Sequence, residues 1–262
     1  MSIQPIGIFD SGVGGVSIWK EIHACLQQEN TLYLADSKHA PYGNKSADDI
    51  VALSVKNTEY LLSQGCKLIV VACNTATTNA ISHLRSNYDI PFIGIEPAIK
   101  PAALQTKTKS IGILATKGTL SSALFHQTAE AFTKDISVIE IVGEGLVPLI
   151  EAGAMDSEET IELLTTYMKP MLAANIDYLV LGCSHYPFLI PSLKKILPPH
   201  VTIIDSGAAV ARQTKSILEQ YNMLNHTTSA PTLQFFSNGD TRTLTQLLGN
   251  IQAEVFIEPL DF

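Results

Sequence analysis

Cys73 and Cys183 have the most chemistry to offer. Each closes an apolar run, LIVVAC and YLVLGC, and each is followed by small or polar residues, Asn74-Thr75 and Ser184-His185, that could open a helix. A thiol at a helix start is shifted toward thiolate, because the dipole and the free amides of the first turn favour negative charge. A thiolate can act as base, nucleophile or metal ligand. Against this, cysteine is among the most buried residue types and often serves as a small hydrophobe. Cys25, within WKEIHACL, and Cys66, just before an apolar run, fit that plainer role. Taken one at a time, Cys73 and Cys183 leave both readings open.

Several chemistries compete for them. A metal site would use Cys183 and His185 with Cys73 or Cys66, but the sequence has neither the close cysteine pair nor the His-x-x-x-His of common zinc sites. A Cys-His hydrolase would leave Cys73 unused. A redox dithiol would require the two thiols within disulfide reach. Inversion of an α-carbon needs two acid/base groups, one on each face, and donors that stabilise the developing carbanion. Two equivalent thiols suit that task. The DSGVGG stretch from Asp10 to Gly15 is glycine-rich, yet it lacks the Lys-Ser/Thr of a Walker loop and does not match Gly-x-Gly-x-x-Gly.

The elements that would position these groups alternate. Short apolar runs at 6–10, 32–36, 68–74, 92–96, 111–116, 178–184 and 201–205 are separated by segments of helical length. Strands buried on both faces between helices predict an α/β protein with mostly parallel sheets flanked by helices. Three runs recur in the same order at nearly constant spacing: IGIFDSGVG with IGILATKGT, IVVACNTA with LVLGCSHY, and FIGIEPA with TIIDSGA. This pattern predicts two similar lobes related by a pseudo-twofold axis, residues 1–97 plus 210–262 and residues 98–209. Cys73 and Cys183 become counterparts. Ligands in open α/β sheets bind beyond the carboxyl ends of the strands, so both thiols should face the cleft between lobes. IEPAIKPA, with two prolines, is the expected first crossing, and 205–211 the return. The tail reads as a helix, a strand at TLQFFSN and a further helical stretch, without counterpart in the repeat.

The 262 residues are 46% hydrophobic and 16% charged, a globular composition. A formal charge of −8 with scattered Lys and Arg shows no basic patch for nucleic acid. The start lacks the pattern of a secretory signal, and no apolar run reaches membrane-spanning length. Four widely spaced cysteines argue against a disulfide framework. A cytoplasmic protein is expected.

DSGVGG (10–15), ADSKHAPYGNKS (35–46), ACNTAT (72–77), IGIEPA (93–98), ATKGT (115–119), GCSHYP (182–187) and IDSGAAVA (204–211) together resemble the glutamate racemases of the aspartate/glutamate racemase superfamily. The resemblance spans most of the chain and is weakest after Ala211. It implies interconversion of L- and D-glutamate without pyridoxal phosphate, metal or other cofactor, with D-glutamate going to peptidoglycan. Cys73 would act on the D-enantiomer and Cys183 on the L-enantiomer, with Asp10 and His185 beside the thiols. Without it, Asp10 reads equally as a helix cap. Substrate contacts are implied for Asp10, Ser11, Tyr42, Gly43, Asn74, Thr75, Ser184 and His185, with Thr116 and Thr119 as weaker candidates, and Glu151 is a weaker candidate for a place beside the thiols. Many members carry Thr in place of Ser184. A homodimer and control by a cell-wall precursor occur in the family and stay open for this chain. Aspartate racemisation, or binding of an acidic amino acid without turnover, are the alternatives.

Overall fold

Val, Ile and Leu runs bounded by Gly, Asp and Asn form ten strands in the computed structural model, which describes residues 3–251 and 253–262. In chain order they are β1 (Ile6–Asp10), β2 (Thr31–Ala35), β3 (Leu68–Val71), β4 (Phe92–Gly94), β5 (Ser110–Ala115), β6 (Ser137–Val142), β7 (Tyr178–Gly182), β8 (Thr202–Ile204), β9 (Leu233–Ser237) and β10 (Val255–Pro259). All pair in parallel. One sheet has the order β10-β9-β2-β1-β3-β4, the other β6-β5-β7-β8. The four strands β2-β1-β3-β4 and the four strands β6-β5-β7-β8 thus repeat one topology, as the matching sequence runs predict. Helices flank both sheets in an α/β fold of two lobes.

Each of the seven anticipated runs is a strand. β6 and β10 were not anticipated, and both are edge strands with half-exposed residues. Glu140 lies within β6 and Glu258-Pro259 ends β10, so neither reads as a continuous apolar run. β1, β2, β3 and β5, by contrast, are buried throughout.

In each lobe the first strand sits between the second and the third, so the connections diverge to opposite sides and open a crevice at the carboxyl ends. Asp10 is the last residue of β1, paired with Ala35 of β2. Cys73 lies two residues beyond β3, Thr116 follows β5 and Cys183 follows β7. The core beneath is anchored by Trp19, whose ring meets Phe235 edge-on at 4.8 Å. A continuous apolar cluster runs from there to Leu114, Leu179 and Leu181 of the second sheet.

At the amino ends of the strands a buried ion pair ties the tail to the first sheet. Lys67 Nζ lies 2.6 Å from Glu29 Oε2, both side chains 2% exposed. Lys67 also donates to the Met223 carbonyl at 2.8 Å, and Glu29 Oε1 accepts the Asn225 N–H at 2.8 Å. Asn225 Nδ2 donates to the Gln28 carbonyl at 2.7 Å.

Candidate active site

The two thiols open on the same cavity but are held differently. Cys73 is extended and caps the helix Asn74–Asn87, its sulfur accepting the Ala76 N–H at 3.4 Å. Its thiol donates toward Ser11 Oγ at 3.6 Å. Burial pushes this thiol up, the Asp10 carboxylate pushes it further, and the Ala76 N–H and Ser11 only partly offset them. Cys183 does not cap an α-helix. It is followed by two turn residues and the 3-10 turn Tyr186–Leu189, with the helix Ile190–Ile196 beyond. Pro187 and Pro191 remove two of the amides that a helix start here would offer. Cys183 Sγ instead lies 3.7 Å from His185 Nδ1. The helix-start geometry therefore holds for Cys73, without the expected shift toward thiolate, and fails for Cys183.

His185 Nε2 donates to Glu151 Oε1 at 2.6 Å. Burial opposes the charged ring, yet the hydrogen bonds to Cys183 and Glu151 and the nearby Asp10 charge outweigh it and hold His185 well above its ordinary value. Asp10 is fully buried. Its Oδ2 accepts the N–H groups of Gly12 at 3.3 Å and Gly15 at 2.9 Å, and its Oδ1 accepts the Ser184 hydroxyl at 3.1 Å. Burial raises its carboxyl; the His185 charge and the Gly15 N–H pull the other way without cancelling it. Asp10 is thus both a turn organiser and a site neighbour, His185 Nδ1 lying 4.0 Å from its Oδ2.

The glycines of DSGVGG are explained by close approach. A Cβ on Gly12 would sit 1.9 Å from Glu151 Oε1, and one on Gly14 would sit 2.1 Å from His185 Nδ1. The loop is pressed against the His185–Glu151 pair, which leaves no phosphate cradle. Glu151 also accepts the Val13 N–H at 2.7 Å and the Ser37 hydroxyl at 3.0 Å, so it bridges the two lobes.

Ser11, Tyr42, Gly43, Cys73, Asn74, Thr75, Cys183, Ser184 and His185 line this one cavity, with Asp10 directly behind Ser184. The cleft is narrow, its empty volume of about 240 Å³ including the part open to solvent. Asn74 is buried, and among the described residues neither its amide nitrogen nor its amide oxygen has a hydrogen-bond partner. Since buried amides are normally paired, this side chain is set for a ligand. The Tyr42 hydroxyl is already spent: it donates to Asp36 Oδ2 at 2.5 Å and accepts from Asn57 Nδ2 at 3.1 Å. Burial first, then the Asp36 charge, raises that phenol well above its usual range. Tyr42 therefore anchors its loop, and the neighbouring Gly43 presents backbone to the cavity.

Thr75, Thr116 and Thr119 form a hydroxyl triangle across the lobes, with separations of 2.7, 3.0 and 3.3 Å. Thr116 also lines the cavity, whereas Thr119 is one layer back. Pro41 and Val147 complete the lining and were not named from the sequence. Val147 stands one helical turn before Glu151 on Leu146–Glu151, so the i,i+4 spacing could have found it. The cavity leads, past Pro41, Gly43, Thr116 and Val147, to a wider mouth between the lobes where Asn44 and Lys117 are exposed to the opening. Among the described residues no group of three or more His, Cys, Asp or Glu side chains is arranged to hold a metal ion. Nor is any helix among them long and apolar enough to cross a membrane.

Comparison with known proteins agrees with this geometry. The family model for Asp/Glu/hydantoin racemases matches residues 6–214. A glutamate racemase of Ectopseudomonas mendocina is 48% identical, with 98% of each chain covered. The crystal structure of Escherichia coli glutamate racemase in complex with L-glutamate and the activator UDP-MurNAc-Ala superposes with a TM-score of 0.86 at 34% identity, over 98% of each chain. A glutamate racemase from Bacillus anthracis gives the same TM-score at 29% identity, covering 100% of this chain and 98% of that one. With the repeated topology, the paired thiols and these matches in hand, the chain belongs to the Asp/Glu/hydantoin racemase family.

Proposed function

We propose that the protein interconverts L- and D-glutamate by a two-base mechanism in which Cys73 and Cys183 serve opposite faces of the α-carbon, supplying D-glutamate for peptidoglycan. The observation that carries this reading is a narrow cavity lined by one thiol from each lobe and by the unpartnered amide of Asn74. One cysteine, as thiolate, takes the α-proton; the other, as thiol, returns a proton from the far side. The configuration inverts and the thiol and thiolate exchange places. Binding of the substrate carboxylates falls to Asn74, Thr75 and Ser11, with the backbone at Gly43, and these donors also carry the charge that develops next to the α-carbon. His185, held by Glu151, stands beside Cys183 as its proton-transfer partner. Asp10 orders the loop beneath both thiols and, by its charge, opposes a standing thiolate at Cys73. The resting proton arrangement is therefore Cys73 as thiol.

Incubation of each glutamate enantiomer with the protein in D2O tests this. Both enantiomers should lose optical activity and gain α-deuterium. Cys73→Ser and Cys183→Ser should each lower racemisation about 10²–10⁴-fold while retaining α-exchange from one enantiomer. Activity with aspartate alone would reassign the substrate, and full racemisation by either variant would remove the two-base mechanism.

A further inference from the structure

The C-terminal segment carries a turn that braces the site from outside. The family match ends at residue 214, yet β9, at 233–237, pairs with β2 in register, Ser237 opposite Ala35. The turn after β9 is thereby delivered to the carboxyl ends of the strands, beside the loop 36–44 that roofs the cavity. Asn238 faces that loop with both ends of its amide. Its Nδ2 donates to Asp36 Oδ1 at 2.5 Å, and its Oδ1 accepts the Lys38 N–H at 2.9 Å.

Asp36 is the hub of the roof. Besides Asn238, its buried carboxylate meets His39 Nδ1 at 2.6 Å and accepts the Tyr42 hydroxyl at 2.5 Å. Its own N–H donates to the Asp10 carbonyl at 3.0 Å. With Tyr42 fixed by this carboxylate, Gly43 is fixed beside it. A second path leaves the same turn. A Cβ on Gly239 would lie 2.9 Å from Ser37 Cβ, so the backbone there is in direct contact with Ser37. Ser37 in turn donates to Glu151, which holds His185 beside Cys183.

From these two paths we infer that the turn Ser237–Asp240 is a positioning element of the active site, with Asn238 acting through Asp36 on the substrate-binding roof and Gly239 acting through Ser37 on the Glu151–His185 pair. Neither residue touches the cavity. The inference rests on the racemase reading for its kinetic test, and each path predicts a separate kinetic signature. Slackening the roof weakens ground-state and transition-state contacts alike and raises KM. Displacing Glu151 disturbs the proton-transfer partner and lowers kcat.

The test compares Asn238→Ala, Gly239→Ala, Asp36→Asn and Asn225→Ala with the wild-type protein, by steady-state racemisation of both enantiomers, thermal melting and amide hydrogen exchange. Asn225→Ala loosens the same tail at the opposite end of the strands and so controls for general loss of stability. Asn238→Ala should raise KM for both enantiomers about tenfold with kcat changed less than about threefold, and Gly239→Ala should show the reverse split. Asp36→Asn should reproduce the KM rise, with little further effect when Asn238→Ala is added. Amides of residues 37–44 should exchange faster in Asn238→Ala but not in Asn225→Ala. Unchanged KM in Asn238→Ala overturns the inference, as does an equal KM rise in Asn225→Ala at the same melting temperature. A wild-type protein that does not racemise glutamate would instead remove the racemase reading, and this inference with it.

Discussion

Two cysteines of the same type, at equivalent places in a repeat, end in unlike surroundings. Cys73 leans on a helix amide and faces the negative field of Asp10, while Cys183 has an imidazole for a neighbour. The sequence set two of the four cysteines apart, because only these follow matching strands. It could not show the difference between them, which depends on Pro187 and Pro191 diverting the chain after Cys183 and on Glu151 arriving from a distant helix. His185 provides a pH test of that partnership. Its folded value is raised above the unfolded one, near 6.5 for a free histidine. The stability it contributes is thus fully present below about pH 6.5 and disappears as pH rises through the folded value. Denaturant unfolding of the wild-type protein and His185→Gln should show a stability gap that narrows over that rise. A gap that widens with pH would mean that His185 folds as the neutral ring.

At the scale of elements, the loop after β1 is packed for contact with side chains from the other lobe. Gly14→Ala would force a Cβ into the His185 ring. The expected result is a destabilisation of about 1–3 kcal/mol from overpacking with a loss of activity near 10²-fold from a displaced proton-transfer partner. Melting temperature and turnover, measured together, check it; unchanged turnover would mean that His185 position is not critical. The glycines were visible as a motif lacking the residues of a phosphate loop, but the motif did not show what the loop packs against. The opposing carboxylate and imidazole are separated from the loop by more than 130 residues. Strands buried on both faces were legible throughout. The edge strands β6 and β10 were not, since one exposed side breaks the continuous apolar pattern on which the reading depends. Tyr42 and Gly43 were legible as a pair, but not that the phenol hydroxyl is committed to Asp36 and Asn57.

Across the whole molecule the first sheet is completed by the end of the chain, and the joint is charged. Lys67 and Glu29 are removed from water together, with the Met223 carbonyl and Asn225 N–H beside them. Removing one member strands the other, so Lys67→Met should destabilise the protein by about 3–5 kcal/mol. Chemical denaturation measures this, and a loss under about 1 kcal/mol would show that water reaches the pair. The tail had no counterpart in the repeat and little diagnostic sequence, so its place with the first lobe and its strand between two helices were anticipated, but not the pairing of β9 with β2.

The repeated strand order has a consequence for how such a site could arise. Two copies of a single four-stranded unit, paired about a twofold axis, already place one thiol of each copy across a shared cleft. A substrate centre with mirror-related faces is matched by such a pair without any further catalytic residue. Two copies joined in one chain can each change alone, and the unlike surroundings of Cys73 and Cys183, with extra strands on one sheet only, are the asymmetries that such a joint permits.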